Sequence, residues 1–164
     1  MSIPHVHIML NHIPVIGVLF CSLLFIISVI LKNIQFQRIS MVLLLLVALS
    51  AIPVFITGEP TEHVIENIPT VAEQYIEELE ESALVSLIVM EILGGLALLG
   101  LIFSRKQNSL NGFVKNGVII VSLAASLLFA YTAYLGGHIR HTEIRPDFQA
   151  PAKADNHIEQ QYNK

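Results

Sequence analysis

The stretch ISMVLLLLVALSAIPVFITG, Ile39–Gly58, decides the fold, because it contains no charged side chain. Three further runs are similar: Ile13–Leu31 and Asn116–Gly137 carry no charge, and Ser82–Ser104 carries only Glu91. Each run is about as long as the roughly 20 residues that a helix needs to cross a bilayer. A chain of 164 residues cannot bury four helices that are apolar on every side and still present a polar surface to water. The sequence therefore predicts an all-α integral membrane protein, a bundle of four transmembrane helices.

The composition agrees with a lipid bilayer as the main partner and limits the classes of function. Hydrophobic residues make up 54% of the chain and charged residues 13%, whereas a soluble domain has about 25% charged residues. The formal net charge of −4 does not favour nucleic acid as a partner. The sequence has no phosphate loop, dinucleotide fingerprint or nucleophile motif. A single cysteine, Cys21, excludes a disulfide within the chain and a cysteine-based metal cage.

The polar segments divide the chain into one domain and a tail. The four spans are predicted at about residues 11–31, 39–57, 83–103 and 116–137, within a domain of residues 1–148. The polar residues 149–164 are expected to form a flexible tail. Between spans two and three, Thr70-Val71-Ala72-Glu73 fits a capping box, and Tyr75, Ile76 and Leu79 follow at helical spacing. This pattern predicts a short amphipathic helix at the membrane interface.

The distribution of charge predicts how the spans are oriented. The linkers 32–38 and 105–115 carry Lys or Arg, whereas the linker 59–81 carries neither. That linker instead holds eight glutamates: Glu59, Glu62, Glu66, Glu73, Glu77, Glu78, Glu80 and Glu81. By the positive-inside rule the two basic linkers face the cytoplasm. Both termini and the acidic linker are then expected outside, in a bacterial inner membrane.

The histidines gather at the predicted outer end of the bundle. The chain has seven, and those outside the tail are His5, His7, His12, His63, His138 and His141. Imidazole is the commonest metal ligand and an axial ligand of haem, and helix bundles hold such cofactors between facing helices. We expect His12 and His138 to be the best axial pair for haem b, with His141 and His63 as reserves. Arg140 could pair with haem propionates at the water boundary, and Gly136-Gly137 could leave room for the macrocycle.

Two other interpretations of these residues stay open. A His/Glu-bound transition metal could use the same end, with ligands from the set His7, His12, His63, Glu62, Glu66, His138 and His141. Alternatively, the histidines and the paired glycines serve only helix packing and the interface, in a structural or assembly subunit without a cofactor.

Glu91 is a separate feature. A carboxylate in the middle of a span is costly and should face the bundle interior, as a proton-relay group or a hydrogen-bond partner.

Three of these motifs together resemble a family of small four-helix membrane proteins of unknown function. The matching pieces are His7–Pro14, Thr57-Gly58 followed by His63, and the segment Gly136–His141, and the resemblance covers about residues 5–141. It implies a membrane haem or redox component. Together with the histidines, it favours a cytochrome-b-like electron-transfer protein, with quinone or redox partner subunits in an oligomer or a larger membrane complex. Where such a protein would have a further histidine before span three, this chain has Glu80-Glu81, which removes the ligand for a second cofactor.

Overall fold

The computed structural model describes residues 3–58, residue 60, residues 73–105 and residues 109–141, and within these ranges it contains helices and no strands. The helices are α1 (Ile3–Leu10), α2 (His12–Ile30), α3 (Ile34–Ile56), α4 (Glu73–Ser104) and α5 (Gly112–Arg140).

Four segments of this structure are long and apolar enough to cross a membrane, which confirms the predicted all-helical architecture. These segments are Pro4–Ile30, Ile34–Ile56, Ile76–Ser104 and Gly112–Ile139. Only about a third of each most apolar window is buried inside the protein. Large apolar side chains therefore cover the outside of the bundle as well as its centre, as expected for a protein whose solvent is lipid.

The first span is interrupted near its outer end. Asn11 separates α1 from α2, although its backbone angles remain helical, at φ −61° and ψ −25°. Pro14 follows within the first turn of α2 and is fully buried. Because proline has no N–H, the carbonyl of Leu10 loses the partner that a continuous helix would give it. α1 packs beside the start of α2 and the end of α3.

The four long helices form a ring in which each packs against two neighbours: α2 against α3, α3 against α4, α4 against α5, and α5 against α2. Glycines allow the closest approaches. A Cβ atom on Gly17 would lie 2.8 Å from Val47 Cγ2, and one on Gly94 would lie 2.7 Å from Ala48 Cβ. The core between the helices includes Val18, Phe25, Met41, Leu44, Met90, Leu93 and Val118, each with no exposed surface.

The separate amphipathic helix predicted between spans two and three is not confirmed. Thr70, Val71 and Ala72 lie outside the described residues. From Glu73 onward the chain is helical without a break and continues into the third span. Ile76 is buried at 6% exposure, whereas Glu77 and Glu78 are exposed. The amphipathic pattern thus belongs to the first turns of α4, which extend the spanning helix beyond its apolar run.

At the opposite end, a tight turn joins α2 to α3. Lys32 adopts a positive φ of 52°, and its N–H donates to the carbonyl of Val29 at 3.0 Å. Asn33 then caps α3, since its side-chain oxygen accepts a hydrogen bond from the N–H of Phe36 at 3.1 Å. The guanidinium of Arg38 donates to the carbonyl and hydroxyl oxygens of Ser104, at the end of α4. A cation there complements the negative end of the helix dipole.

Candidate cofactor site at the histidine end of the bundle

The contact between α2 and α5 fixes which of their residues share a level. The two helices run antiparallel, and Ser126 Oγ donates to Ser22 Oγ at 3.4 Å. Counting along both helices from this pair, Asn11 and His12 lie within about one helical turn of the level of Gly137 and His138. The spans therefore bring the two predicted axial ligands to one end of the bundle.

The imidazole of His7 is held by the end of α3. Its Nδ1 lies 3.1 Å from the carbonyl oxygen of Val54 and 3.1 Å from Thr57 Oγ1. A carbonyl oxygen can only accept, so Nδ1 carries the proton and donates it. The neutral ring then has its lone pair on Nε2, the tautomer that a metal ligand needs, and a backbone carbonyl fixes its orientation. His7 is half-buried, so this arrangement lies at the edge of the protein interior.

The imidazole of His12 has the same tautomer but a different environment. Its Nδ1 donates to the carbonyl oxygen of Ile8 at 2.9 Å, within the same span. This leaves Nε2 as an acceptor, as for His7. The side chain of His12 is exposed, however, and not directed into the centre of the bundle.

Asn11 lies between these two histidines in the sequence and is half-buried. Its side-chain oxygen Oδ1 is buried and has no hydrogen-bond partner among the residues that the structure describes. An unsatisfied buried acceptor costs about 1–3 kcal/mol, so such groups usually mark the place of a polar partner. Asn11 therefore supplies an open hydrogen-bonding position at the level of the histidines.

His138 lies near the end of α5 and is buried at 6% exposure. The ring of Tyr134 packs edge-on against it, with the ring centroids 4.3 Å apart. Tyr131 continues this series, because its centroid lies 6.5 Å from that of Tyr134. His12 and His138 are thus engaged separately, one with a backbone carbonyl and the other with an aromatic ring. His141 caps α5 and is exposed.

Several predicted site residues cannot be placed. His63, Glu62 and Glu66 lie outside the described residues, as does the side chain of Arg140, whose backbone ends α5. Within the described ranges no three His, Cys, Asp or Glu side chains are grouped so that they could hold a metal ion. The metal site that would combine His7, His12, His138 and His141 with Glu62, Glu66 and His63 therefore stays a prediction.

Glu91 lies in the middle of α4 and is half-buried, and within the described part of the chain its buried Oε1 has no hydrogen-bond partner. The register of α3 against α4 follows from the approach of Gly94 to Ala48 and of Gly100 to Met41. This register places Glu91 level with Ala51, which offers its carboxyl group no polar side chain. The proton-relay role proposed for Glu91 stays a prediction.

A cluster of hydroxyl groups between α4 and α5 was not predicted from the sequence. Thr132 Oγ1 lies 2.7 Å from Ser82 Oγ and 2.9 Å from Ser86 Oγ, and it also donates to the carbonyl of Leu128 at 3.0 Å. Ser82 and Ser86 are four residues apart, a spacing that places both on one helix face. The spacing of the two serines could have indicated a polar patch on α4, but nothing in the sequence indicated that Thr132 of α5 would contact it.

At one end of the four-helix bundle, the described residues include the imidazoles of His7, His12 and His138, the buried Oδ1 of Asn11 and a short aromatic series. Comparison of the chain with family models, with curated proteins and with solved structures finds no match.

Proposed function

We propose that this chain is a membrane electron-transfer protein, or a subunit of a redox complex, that binds haem b at the histidine end of its bundle. The observation that carries the proposal is the unpartnered Asn11 oxygen, which is buried at the level shared by His12 and His138. A polar group of a bound cofactor would give this oxygen, or the amide nitrogen after rotation of the side chain, the partner that it lacks.

The residues at this end have the chemistry that haem requires. One imidazole to hold the haem would come from the first span, where the Nδ1 contacts of His7 and His12 leave Nε2 available. The other would be His138, which is buried beside Tyr134. His7 is the better anchored of the first two, because α3 holds its Nδ1, and we therefore add it to His12 as a candidate. His141 and His63 remain reserves, and Arg140 remains the candidate partner of the propionates.

A quinol is the proposed electron donor. A groove of about 290 Å³ between α4 and α5 is lined by Glu78, Ser82, Val85, Leu128 and Tyr131, which combine apolar walls with hydrogen-bonding groups. From its edge the aromatic series leads through Tyr134 to His138. Bound haem would supply a one-electron carrier, so the two electrons of a quinol would leave in turn for a redox partner subunit while its two protons pass to water.

The proposal includes an orientation. The linker residues Lys32, Arg38, Arg105, Lys106 and Lys115 favour the cytoplasmic side for their end of the bundle. The histidine end would then face the periplasm, with the chain in a bacterial inner membrane as part of an oligomer or a larger complex.

The test is the reduced-minus-oxidised absorption spectrum of the purified protein, with elemental analysis on the same sample. We expect the spectrum of a six-coordinate b haem. His138→Ala should lose the haem or make it five-coordinate, and so should one of His7→Ala and His12→Ala, whereas His157→Ala in the tail should match the wild type. All variants should insert in the membrane and remain helical by circular dichroism.

The other results each have a defined meaning. A stoichiometric transition metal without haem bands would replace this proposal with the non-haem metal site. A wild-type protein with neither would leave a structural or assembly role. Haem that survives in all three variants would move the site to His63 and His141.

A further inference from the structure

A basic pocket lies at the end of the bundle opposite the histidines. It encloses about 190 Å³ between the turn that joins α2 to α3 and the start of α5. Its polar lining consists of Lys32, Gln37, Ser109 and Lys115, and its apolar walls include Val29 and Leu110. The pocket thus combines cationic and hydroxyl donors with hydrocarbon, at the point where the spanning helices end.

The two lysines approach the pocket from the turn after α2 and from α5. Lys32 lies ten residues after Ser22, in the turn that follows α2, and Lys115 precedes Ser126 by eleven on α5. The hydrogen-bonded serines therefore place both lysines near one level, and both line the same pocket. Lys32 is exposed and Lys115 is half-buried. Within the described residues neither ammonium group has a hydrogen bond or an ion pair. Two unpaired cations at one level produce a positive potential that favours an anion.

No carboxylate opposes these cations nearby in the chain. The linkers 32–38 and 105–115 contain no Asp or Glu. Gln37 is buried at 7% exposure, and its Nε2 donates to the carbonyl of Ser28 at 3.4 Å, which fixes the floor of the pocket. Ser109 is exposed and can donate its hydroxyl proton to an anion.

We propose that this pocket binds the phosphodiester headgroup of an anionic phospholipid such as phosphatidylglycerol. The lysines and Ser109 would bind the phosphate oxygens, and the walls formed by Val29 and Leu110 would contact the upper part of an acyl chain. Basic pockets between transmembrane helices bind anionic lipid headgroups in this way. A free phosphate ion shares the headgroup chemistry but would gain nothing from the apolar walls. This site is independent of the haem proposal, because it lies at the other end of the molecule.

The experiment measures lipid binding to the full chain in bilayer nanodiscs made from equal parts of phosphatidylglycerol and phosphatidylcholine. Lipids retained after transfer into detergent are identified by native mass spectrometry. We expect the wild type to retain phosphatidylglycerol at least about tenfold over phosphatidylcholine, roughly the ratio that 1.4 kcal/mol supplies. The double variant Lys32→Gln/Lys115→Gln should lose this preference, and Lys115→Gln alone should weaken it.

A charge-matched control separates the pocket from a general attraction of basic loops to anionic lipid. Arg105→Gln removes one exposed cation from the same linker region but none from the pocket lining, which matches the charge change of Lys115→Gln, and it should retain the preference. Equal loss in this control would overturn the proposal. So would a wild type that shows no preference, or displacement of the lipid by millimolar inorganic phosphate, which would indicate a phosphate site. The wild-type measurement decides the question even where a variant does not fold.

Discussion

Glu91 is a single carboxyl group in the middle of α4, within an otherwise apolar span. Its position in the middle of an apolar run was sufficient to predict that a carboxyl group lies within the membrane. The structure adds that Oε1 is buried without a hydrogen bond and that the neighbouring helix presents Ala51 at this level. Such a group costs stability and contributes nothing to packing that an apolar side chain would not. This cost is the reason for the prediction that Glu91 acts in proton transfer.

Substitution of Glu91 tests this interpretation through stability and function together. Glu91→Leu removes the unsatisfied oxygen. The free energy of unfolding of the detergent-solubilised protein should therefore stay the same or rise, by up to about 1–3 kcal/mol. Glu91→Gln keeps the shape but cannot ionise. It should preserve the fold and abolish the proton-coupled activity that a relay role for Glu91 implies. A marked loss of stability in Glu91→Leu, with normal activity in Glu91→Gln, would make Glu91 a packing residue.

At the scale of the helices, the sequence predicted the existence and number of the spans but not their full length. The second span was predicted at residues 39–57, whereas α3 is Ile34–Ile56, and the third at 83–103, whereas α4 is Glu73–Ser104. The length of an apolar run indicates only how much of a helix lies in the hydrocarbon core of the membrane. The polar residues beyond a run also form helix. Asn33 caps α3 and Asn111 caps α5, each several residues before the apolar run begins.

The sequence was sufficient to predict the level of the candidate site along the bundle, but not the direction in which its side chains point. The end of the bundle at which His12 and His138 lie follows from counting residues along the spans. The direction of each ring does not, because these helices are apolar on nearly every side and give no periodic signal for the buried face. The sequence therefore could not indicate that His12 is exposed while Asn11 beside it has a buried oxygen.

Adjacent glycines in α4 provide a test of helix packing. A Cβ on Gly94 would meet Ala48 Cβ at 2.7 Å, whereas one on Gly95 would meet nothing within 4 Å. Gly94→Ala should force α3 and α4 apart and lower the free energy of unfolding by about 1–3 kcal/mol. Gly95→Ala should be neutral or stabilise by up to about 1 kcal/mol, since alanine favours the helix. Reversible thermal unfolding in detergent compares the two, and equal effects would contradict the packing of α3 on α4.

At the scale of the whole molecule, the orientation in the membrane connects both proposals. Single cysteines at Ser109 and Glu77, both exposed positions at opposite ends, provide the test. A membrane-impermeant maleimide should label the first only from the cytoplasm and the second only from outside. The native Cys21 is buried at 5% exposure and should stay unlabelled in both cases. The reverse labelling pattern would place the histidine end in the cytoplasm and the basic pocket in the outer leaflet.

The length of α4 has a consequence for how the molecule meets its partners. Its 32 residues extend about 48 Å, against roughly 30 Å for the hydrocarbon core, so part of the helix stands beyond the membrane. Glu77, Glu78, Glu80 and Glu81 are all exposed on this part. Their field extends into solution over a Debye length of about 8 Å at physiological salt. A basic partner would be attracted before it touched the bilayer surface, and its rate of encounter would fall as ionic strength rises.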